Sequence, residues 1–309
     1  MSCDANPDPT IREFWSSHRQ RRLQPMQLPT PSTSHVNYAH VYEPAEDSFL
    51  ILNTLSSPSE TAFLRSRFPA PGSPSPLLLE IGSGSGVVVA FCSAHAESVF
   101  GRRDVFALAG DVNPYACRAT AETVRLAAQA TTKVITGATA DSTAESTTED
   151  STETAATATT TTGTGCFLSS LTSDLASSIR ANSVDILIFN PPYVPTEELP
   201  NGSNCDEFAD RSDFSSQEEF ERNSYLLALS YAGGNEGMEV TNCVLDALTT
   251  VLSDRGIAYL LLCAQNKPET VMKRVRGWNG GGKWKAEIVG FSGIQAGWEK
   301  LSIVRIWRV

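Results

Sequence analysis

Two short runs of residues carry the chemistry this sequence advertises. The first is Asn190-Pro191-Pro192-Tyr193, which follows the apolar run Val184-Asp-Ile-Leu-Ile-Phe. Two prolines remove two backbone donors and stiffen the chain, leaving carbonyl acceptors facing outward. The Asn190 side-chain oxygen and the Pro191 carbonyl can each accept a hydrogen bond from a target –NH2 group. An amide or exocyclic amine is a poor nucleophile because its lone pair is delocalised. Two fixed acceptors hold such a nitrogen towards an electrophilic methyl and let charge build up during transfer. Tyr193 is placed to stack on a flat target. The competing reading is a plain strand-ending turn, since Asn-Pro often starts one.

The second run is Leu77-Leu-Leu-Glu80-Ile-Gly82-Ser-Gly84-Ser-Gly86-Val87, a strand, a glycine-rich turn and a helix start. Such glycines let backbone amides approach a ligand and support a turn that side chains would block. The spacing is G-x-G-x-G, with Val87 where a dinucleotide site has its last glycine, so the NAD reading is weakened. Glu80, just before the turn, is a poor neighbour for a pyrophosphate and suits a ligand with a cationic part. A second acid, Asp111, ends the next apolar run 25 residues beyond Gly86. At the carboxyl end of a strand in an open α/β sheet it can accept hydrogen bonds from ribose hydroxyls. Together the two acids fit an adenosine ligand that bears positive charge, as S-adenosylmethionine does.

These residues need a scaffold of alternating strands and helices. Strands are expected at Leu77–Ile81, Val105–Ala109, Lys133–Thr136, Val184–Phe189, Ile257–Cys263, Ala286–Phe291 and Leu301–Trp307. Helices are expected at Glu46–Leu55, Val87–His95, Pro114–Ala130, Met238–Leu252 and Pro268–Arg276. The first five strands are continuous apolar runs, as in a parallel sheet covered by helices on both faces. Asn113-Pro114 is a clear helix start. The pattern predicts one doubly wound α/β domain without internal repeats.

The chain has 309 residues and a net charge of −11. At face value that disfavours a nucleic-acid binder, which usually has a basic face. The charge is local, however. Residues 138–165 form a Thr/Ser/Ala tract carrying −5, and residues 196–222 carry −7, so the remainder sums to +1. Both tracts are expected to be inserted loops, since neither composition nor period supports a packed element. No apolar stretch is long enough for a membrane helix. Seven cysteines (Cys3, Cys92, Cys117, Cys166, Cys205, Cys243 and Cys263) are scattered without metal-ligand spacing, and the histidines do not join them. No metal site is expected. The odd count and the start of the chain fit a reducing compartment, with the cytoplasm as the default and the nucleus also open.

The glycine loop, Asp111 and Asn-Pro-Pro-Tyr resemble the seven-stranded, S-adenosylmethionine-dependent amino-group methyltransferases. Val41-Tyr-Glu-Pro-Ala-Glu-Asp-Ser-Phe-Leu, Leu79-Glu-Ile-Gly-Ser-Gly-Ser-Gly, Asp111-Val-Asn-Pro, Phe189-Asn-Pro-Pro-Tyr-Val and Ala232-Gly-Gly-Asn-Glu-Gly narrow the resemblance. They are similar to the catalytic subunits of the HemK-like eukaryotic release factor glutamine methyltransferases. The likeness runs from about Met26 to Val309, interrupted by the two acidic tracts, and leaves residues 1–25 as an expected disordered extension.

The resemblance implies a Rossmann-like class I methyltransferase fold, mostly parallel with an antiparallel C-terminal hairpin. It implies N5-methylation of the glutamine in the Gly-Gly-Gln loop of the class I peptide chain release factor, within a heterodimer completed by a small zinc-binding adaptor. It also implies cofactor contacts at Ser48, Glu80, Gly82, Gly84, Gly86, Asp111, Asp174, Leu175 and Asn190. Asn190 would orient the target amide, Pro191, Pro192 and Tyr193 would form its pocket, and Glu43–Asp47 would be a lid. The adaptor is expected to dock on exposed apolar surface at a sheet edge near Lys133–Thr136. The first tract is expected to interrupt the exit of the third strand, near the cofactor base, and the second to border the substrate groove.

An adenine-N6 or other nucleic-acid amino-group methyltransferase would use the same Asn-Pro-Pro-Tyr chemistry. It would also need a basic surface or a recognition domain to hold and flip a base. The chain has no spare region for one, so direct nucleic-acid binding is not expected. Lysine methylation on another protein remains open. A binding module with a dead cofactor site would have lost Asp111 or Asn190, and both are present.

Overall fold

The computed structural model describes residues 28–140, 164–200, 216–293 and 300–309. The expected extension at 1–25 and most of both acidic tracts lie outside the described residues. Before the sheet come helices α1 (Glu46–Leu55) and α2 (Pro58–Arg67). The second starts at a Ser57 cap, whose side chain accepts from the Glu60 N–H, with Pro58 in the first turn. Then follow β1 (Leu77–Ile81), α3 (Val87–Ala94), α4 (Ala96–Phe100), β2 (Phe106–Asp111), α5 (Pro114–Ala140), β3 (Cys166–Thr172) and β4 (Val184–Phe189). The chain closes with α6 (Ser216–Tyr231), α7 (Glu239–Val251), β5 (Leu252–Cys263), α8 (Pro268–Arg276), β6 (Trp284–Phe291) and β7 (Leu301–Arg308).

Seven strands form one sheet in the order β3-β2-β1-β4-β5-β7-β6. The first five are parallel, while β7 runs antiparallel to both β5 and β6. This is the doubly wound α/β fold with an antiparallel C-terminal hairpin that the sequence predicts. Alternation along each strand explains the continuous apolar runs. Leu78, Ile186, Ile188 and Leu261 face one core, with α1 and α3; Leu79, Leu187, Phe189 and Leu260 face the other, with α7 and α8. Both faces are buried, so neither can be polar.

Chain order reverses between β1 and β4, and that reversal builds the site. From β1 the chain winds outward through β2 to β3; from β4 it winds the other way. Helices on opposite faces therefore leave a crevice at the carboxyl ends of β1 and β4. Ile81 is in register with Phe189 and also with Gly110. Hence Gly82, Asn190 and Asp111 are the next residues on three adjacent strands.

Four expectations are corrected. Lys133–Thr136 is not a strand but part of α5, which runs to Ala140. A short β-branched run cannot be told from helix by its own pattern, and here the helical stretch before it continues through it. The third strand is Cys166–Thr172, paired parallel with β2 at the sheet edge. The first tract thus lies before β3 rather than at its exit, and the adaptor surface expected at Lys133–Thr136 is not a sheet edge. In the second tract the end of the expected loop is helical, because α6 begins at Ser216.

Gly86 shows how tightly the glycine turn is built into this frame. It caps α3 with φ 77°, and a Cβ there would lie 2.5 Å from the Thr120 Cα on α5. Left-handed strain and overpacking act together, so Gly86→Ala should destabilise the fold by about 2–5 kcal/mol. Urea denaturation checks this; Gly84→Ala, with nothing within 4 Å of its Cβ, should cost less.

Candidate active site

The expected site residues converge on one cavity of about 620 Å³ at the switch point. From α1 comes Ser48, and from β1 and its turn come Glu80, Gly82 and Gly84. Asp111 enters from β2, Asp174 and Leu175 from the turn after β3, and Asn190, Pro191, Pro192 and Tyr193 from the exit of β4. Gly86 is the exception: it does not line the cavity but lets α3 approach α5. The first two glycines of the loop face open space while the third serves helix packing, a division that spacing alone does not reveal.

Asn190 is bonded through one end of its amide alone. Its Nδ2 donates to Asp47 Oδ2 at 2.9 Å, while its Oδ1 is buried without a hydrogen-bond partner. An ionised carboxylate only accepts, so Nδ2 must face Asp47 and Oδ1 must face away from it. Asp47 itself is buried in the first turn of α1, and its other oxygen accepts from the Ser48 N–H. Sequence reading placed Asp47 in a lid; Pro44, Asp47 and Ser48 do border the cavity. The tie from Asp47 to Asn190 was not legible, because 143 residues separate the two.

Behind the two prolines a glycine segment acts as a clamp. The Val194 N–H donates to the Tyr231 carbonyl, and the Gly233 N–H donates to the Val194 carbonyl. A Cβ at Gly233 would meet the Pro192 carbonyl at 2.4 Å, and one at Gly237, where φ is 67°, would meet the Tyr193 carbonyl at 2.0 Å. Ala232-Gly-Gly-Asn-Glu-Gly is thus a backing plate. Asn266, fully buried, completes it by donating from Nδ2 to the Tyr193, Glu236 and Gly237 carbonyls while Oδ1 accepts from the Cys263 N–H. Its position in Asn266-Lys-Pro, at a helix entry, was its one visible signal.

On the opposite wall, Asp111 accepts from the Gly84 N–H at 2.9 Å and the Asn113 N–H at 2.8 Å. Burial still raises its pKa, with those two donors acting the other way. Glu80 is 4% exposed and accepts from the Val89 N–H at 2.8 Å. Burial pushes it well above the usual carboxylate range; the Val89 bond opposes this and the nearby Asp111 adds to it. Val112 presents an apolar face to the cavity although it is 41% exposed, and Leu175 sits at φ 48°, a left-handed conformation unusual for leucine. Such strain is common where a ligand is clamped.

Tyr115 of α5 joins the segment before α1 to α6: His40 stacks on its ring at 4.5 Å, and Arg222 of α6 donates to its hydroxyl at 3.2 Å. His40 also meets Asn223 of α6 at 2.9 Å.

No family model matches the chain. The catalytic subunit of the eRF1 methyltransferase, mtq2, of Schizosaccharomyces pombe is 29% identical over 293 residues, 91% of this chain and 96% of that protein. The methyltransferase HEMK2 of Homo sapiens is 30% identical over 248 residues, 79% of this chain and 83% of that protein. A putative protein N5-glutamine methyltransferase of Methanocaldococcus jannaschii is 22% identical over 273 residues, 88% of this chain and 94% of that one.

Sheet order, glycine turn and paired acids define a class I methyltransferase that uses S-adenosylmethionine. The residues fit that cofactor: Glu80 and Asp111 line the cavity beside the glycine turn, and apart from chain neighbours no atom lies closer than 3.8 Å to where a Cβ at Gly82 or Gly84 would stand. By its identity to HEMK2 across most of both chains, the protein belongs to the HEMK2 family of methyltransferases.

The acids set a pH dependence. Unfolded Glu80 ionises near pH ~4.3, whereas the folded state holds its proton to higher pH. Between those values the folded state binds more protons, so stability of the cofactor-free protein falls as pH rises through the window. Asp111, also raised, acts in the same direction. Thermal melts followed upward from acid pH should show this decline, and Glu80→Gln should flatten it. The melting shift given by the cationic cofactor should grow with pH.

Proposed function

We propose that this chain methylates N5 of the glutamine in the Gly-Gly-Gln loop of the class I peptide chain release factor. In this reading it acts in the cytoplasm as the catalytic subunit of a heterodimer with a small zinc-binding adaptor. The observation that carries the proposal is the unpartnered Asn190 Oδ1, a buried acceptor at the wall of the cofactor cavity. A buried acceptor left without a donor costs about 1–3 kcal/mol, so its natural complement is an N–H brought by the substrate. The names of two relatives support the choice of target, one an eRF1 methyltransferase catalytic subunit and the other a putative protein N5-glutamine methyltransferase.

The cofactor's sulfonium supplies an electrophilic methyl. Asn190 Oδ1 and the Pro191 carbonyl accept the two N–H groups of the glutamine amide, fixing its lone pair along the transfer direction. The bound cofactor would supply that methyl with its sulfur keeping the electron pair of the broken S–C bond, so positive charge would develop on the target nitrogen as the N–C bond forms. The same two acceptors stabilise that charge better than they stabilise the neutral amide. The N–H proton then leaves to water, so no strong base is needed. Pro191 and Pro192 are buried and clamped from behind, which holds the acceptors still. Tyr193 flanks the flat amide.

Labelled cofactor, purified release factor and the chain with its adaptor test this directly. Label should appear on the Gly-Gly-Gln glutamine, depend on the adaptor, and vanish when that glutamine is replaced by asparagine. Asn190→Ala should lower kcat by about 10²–10³-fold. Labelling that survives both substitutions overturns the assignment.

A further inference from the structure

We propose that Asp47 is the positioning residue that sets the orientation of the Asn190 amide. This rests on the reading of Asn190 as the acceptor for the target nitrogen. An asparagine amide has two flip states of nearly equal shape, one presenting Oδ1 to the substrate and the other Nδ2. Only the first accepts from a target –NH2. In the second, Nδ2 would confront the donors of the substrate, and the site would repel the nitrogen it must hold.

Asp47 removes the second state. Its Oδ2 lies 2.9 Å from Asn190 Nδ2, and a carboxylate has no proton to give to Oδ1. Flipping the amide would set oxygen against oxygen in a buried place. The carboxylate is 4% exposed, and among the described residues no lysine or arginine forms an ion pair with it. A buried, uncompensated carboxylate is a costly way to hold a helix against a loop. The first turn of α1 supplies the compensation, through the Ser48 N–H at 2.6 Å and the positive end of the helix. The arrangement also gives the Glu43–Asp47 segment a task beyond bordering the cavity: it carries the group that fixes the acceptor on the far side.

The test uses three variants of the full chain with its adaptor. Asp47→Asn has the shape of the native side chain, but its amide can accept from or donate to Asn190, so both flips become allowed. It should lower kcat about 10–100-fold while leaving cofactor affinity within about threefold. Asn190→Asp should be worse, because two carboxylates then face each other. The double variant Asp47→Asn with Asn190→Asp restores a donor–acceptor pair and a free acceptor, and should recover kcat by about tenfold over Asn190→Asp. A residue that merely packs gives no such recovery.

A second measurement is independent of turnover. In protein labelled with 15N-asparagine, the side-chain amide resonance assigned to Asn190 should shift in Asp47→Asn. Wild-type kcat in Asp47→Asn overturns the proposal, as does an Asn190 resonance unmoved by the change. A wild-type protein that fails to methylate the release factor overturns the proposed function instead. In that event the resonance still decides the role of Asp47.

Discussion

Everything chemical in this protein depends on the parallel pairing of β1 with β4. That ladder puts Ile81 beside Phe189 and so makes Gly82 and Asn190 neighbours, although 108 positions separate them in the chain. One residue of slip would send the buried faces of both strands into the wrong core. The apolar side chains that stabilise the sheet therefore also fix the distance between the glycine turn and the amide acceptor. Pairing of β1 with β2 adds Asp111 in the same way. The crevice is the place where the winding reverses, and no helix fills it because α3 and the helices after β4 turn to opposite faces.

On this frame the two walls are built differently. The glycine turn is open on one side, since Gly82 and Gly84 leave space where side chains would stand. The Asn-Pro-Pro-Tyr turn is closed behind. Prolines cannot join a ladder, so β4 ends there, and carbonyls that would otherwise lack donors are taken up by Gly233 and Asn266. The glycines of the backing segment are needed for contact rather than flexibility: at Gly237 a methyl group would overlap the Tyr193 carbonyl. A rigid wall faces a wall shaped for a ligand, as methyl transfer requires.

Local pattern was enough for most of this. β1, β4, α1 and α8 occupy the residues expected, because each is a strong period bounded by glycine, proline or a capping residue. The edge strand Cys166–Thr172 was missed for a physical reason: half exposed, with Ser169 and Ser170 in its middle, it lacks the apolar run that marks its neighbours. Helix α6 was hidden by its acidic start, which reads as loop until its apolar half from Tyr225 to Leu229 is seen against the cavity. Among the site residues, those next to a strand end or in a glycine turn were legible. The bonds that Asp47 and Asn266 make were not, because their partners are brought by the fold from distant parts of the chain. The third glycine shows the limit in the other direction, since the motif includes Gly86 but the cavity does not.

Three of the acids at the cavity act by position more than by number. Glu80 and Asp111 line the cavity beside the glycine turn, where burial disfavours their charged forms and a cationic ligand would offset that cost. Asp47 stands one step away from the reacting atoms and bonds to Asn190, not to the space the substrate would take. A carboxylate placed directly against a glutamine amide would hold it, but it would also draw the cationic cofactor head and blur the two subsites. Passing the negative charge through a neutral amide avoids this. The Asp47 contact polarises Asn190, which makes Oδ1 a stronger acceptor as charge grows on the target nitrogen. The net charge of −11 is no guide to this chemistry, because it belongs to the two tracts. A single buried carboxylate on the first turn of α1 carries more of the proposed specificity than all of them.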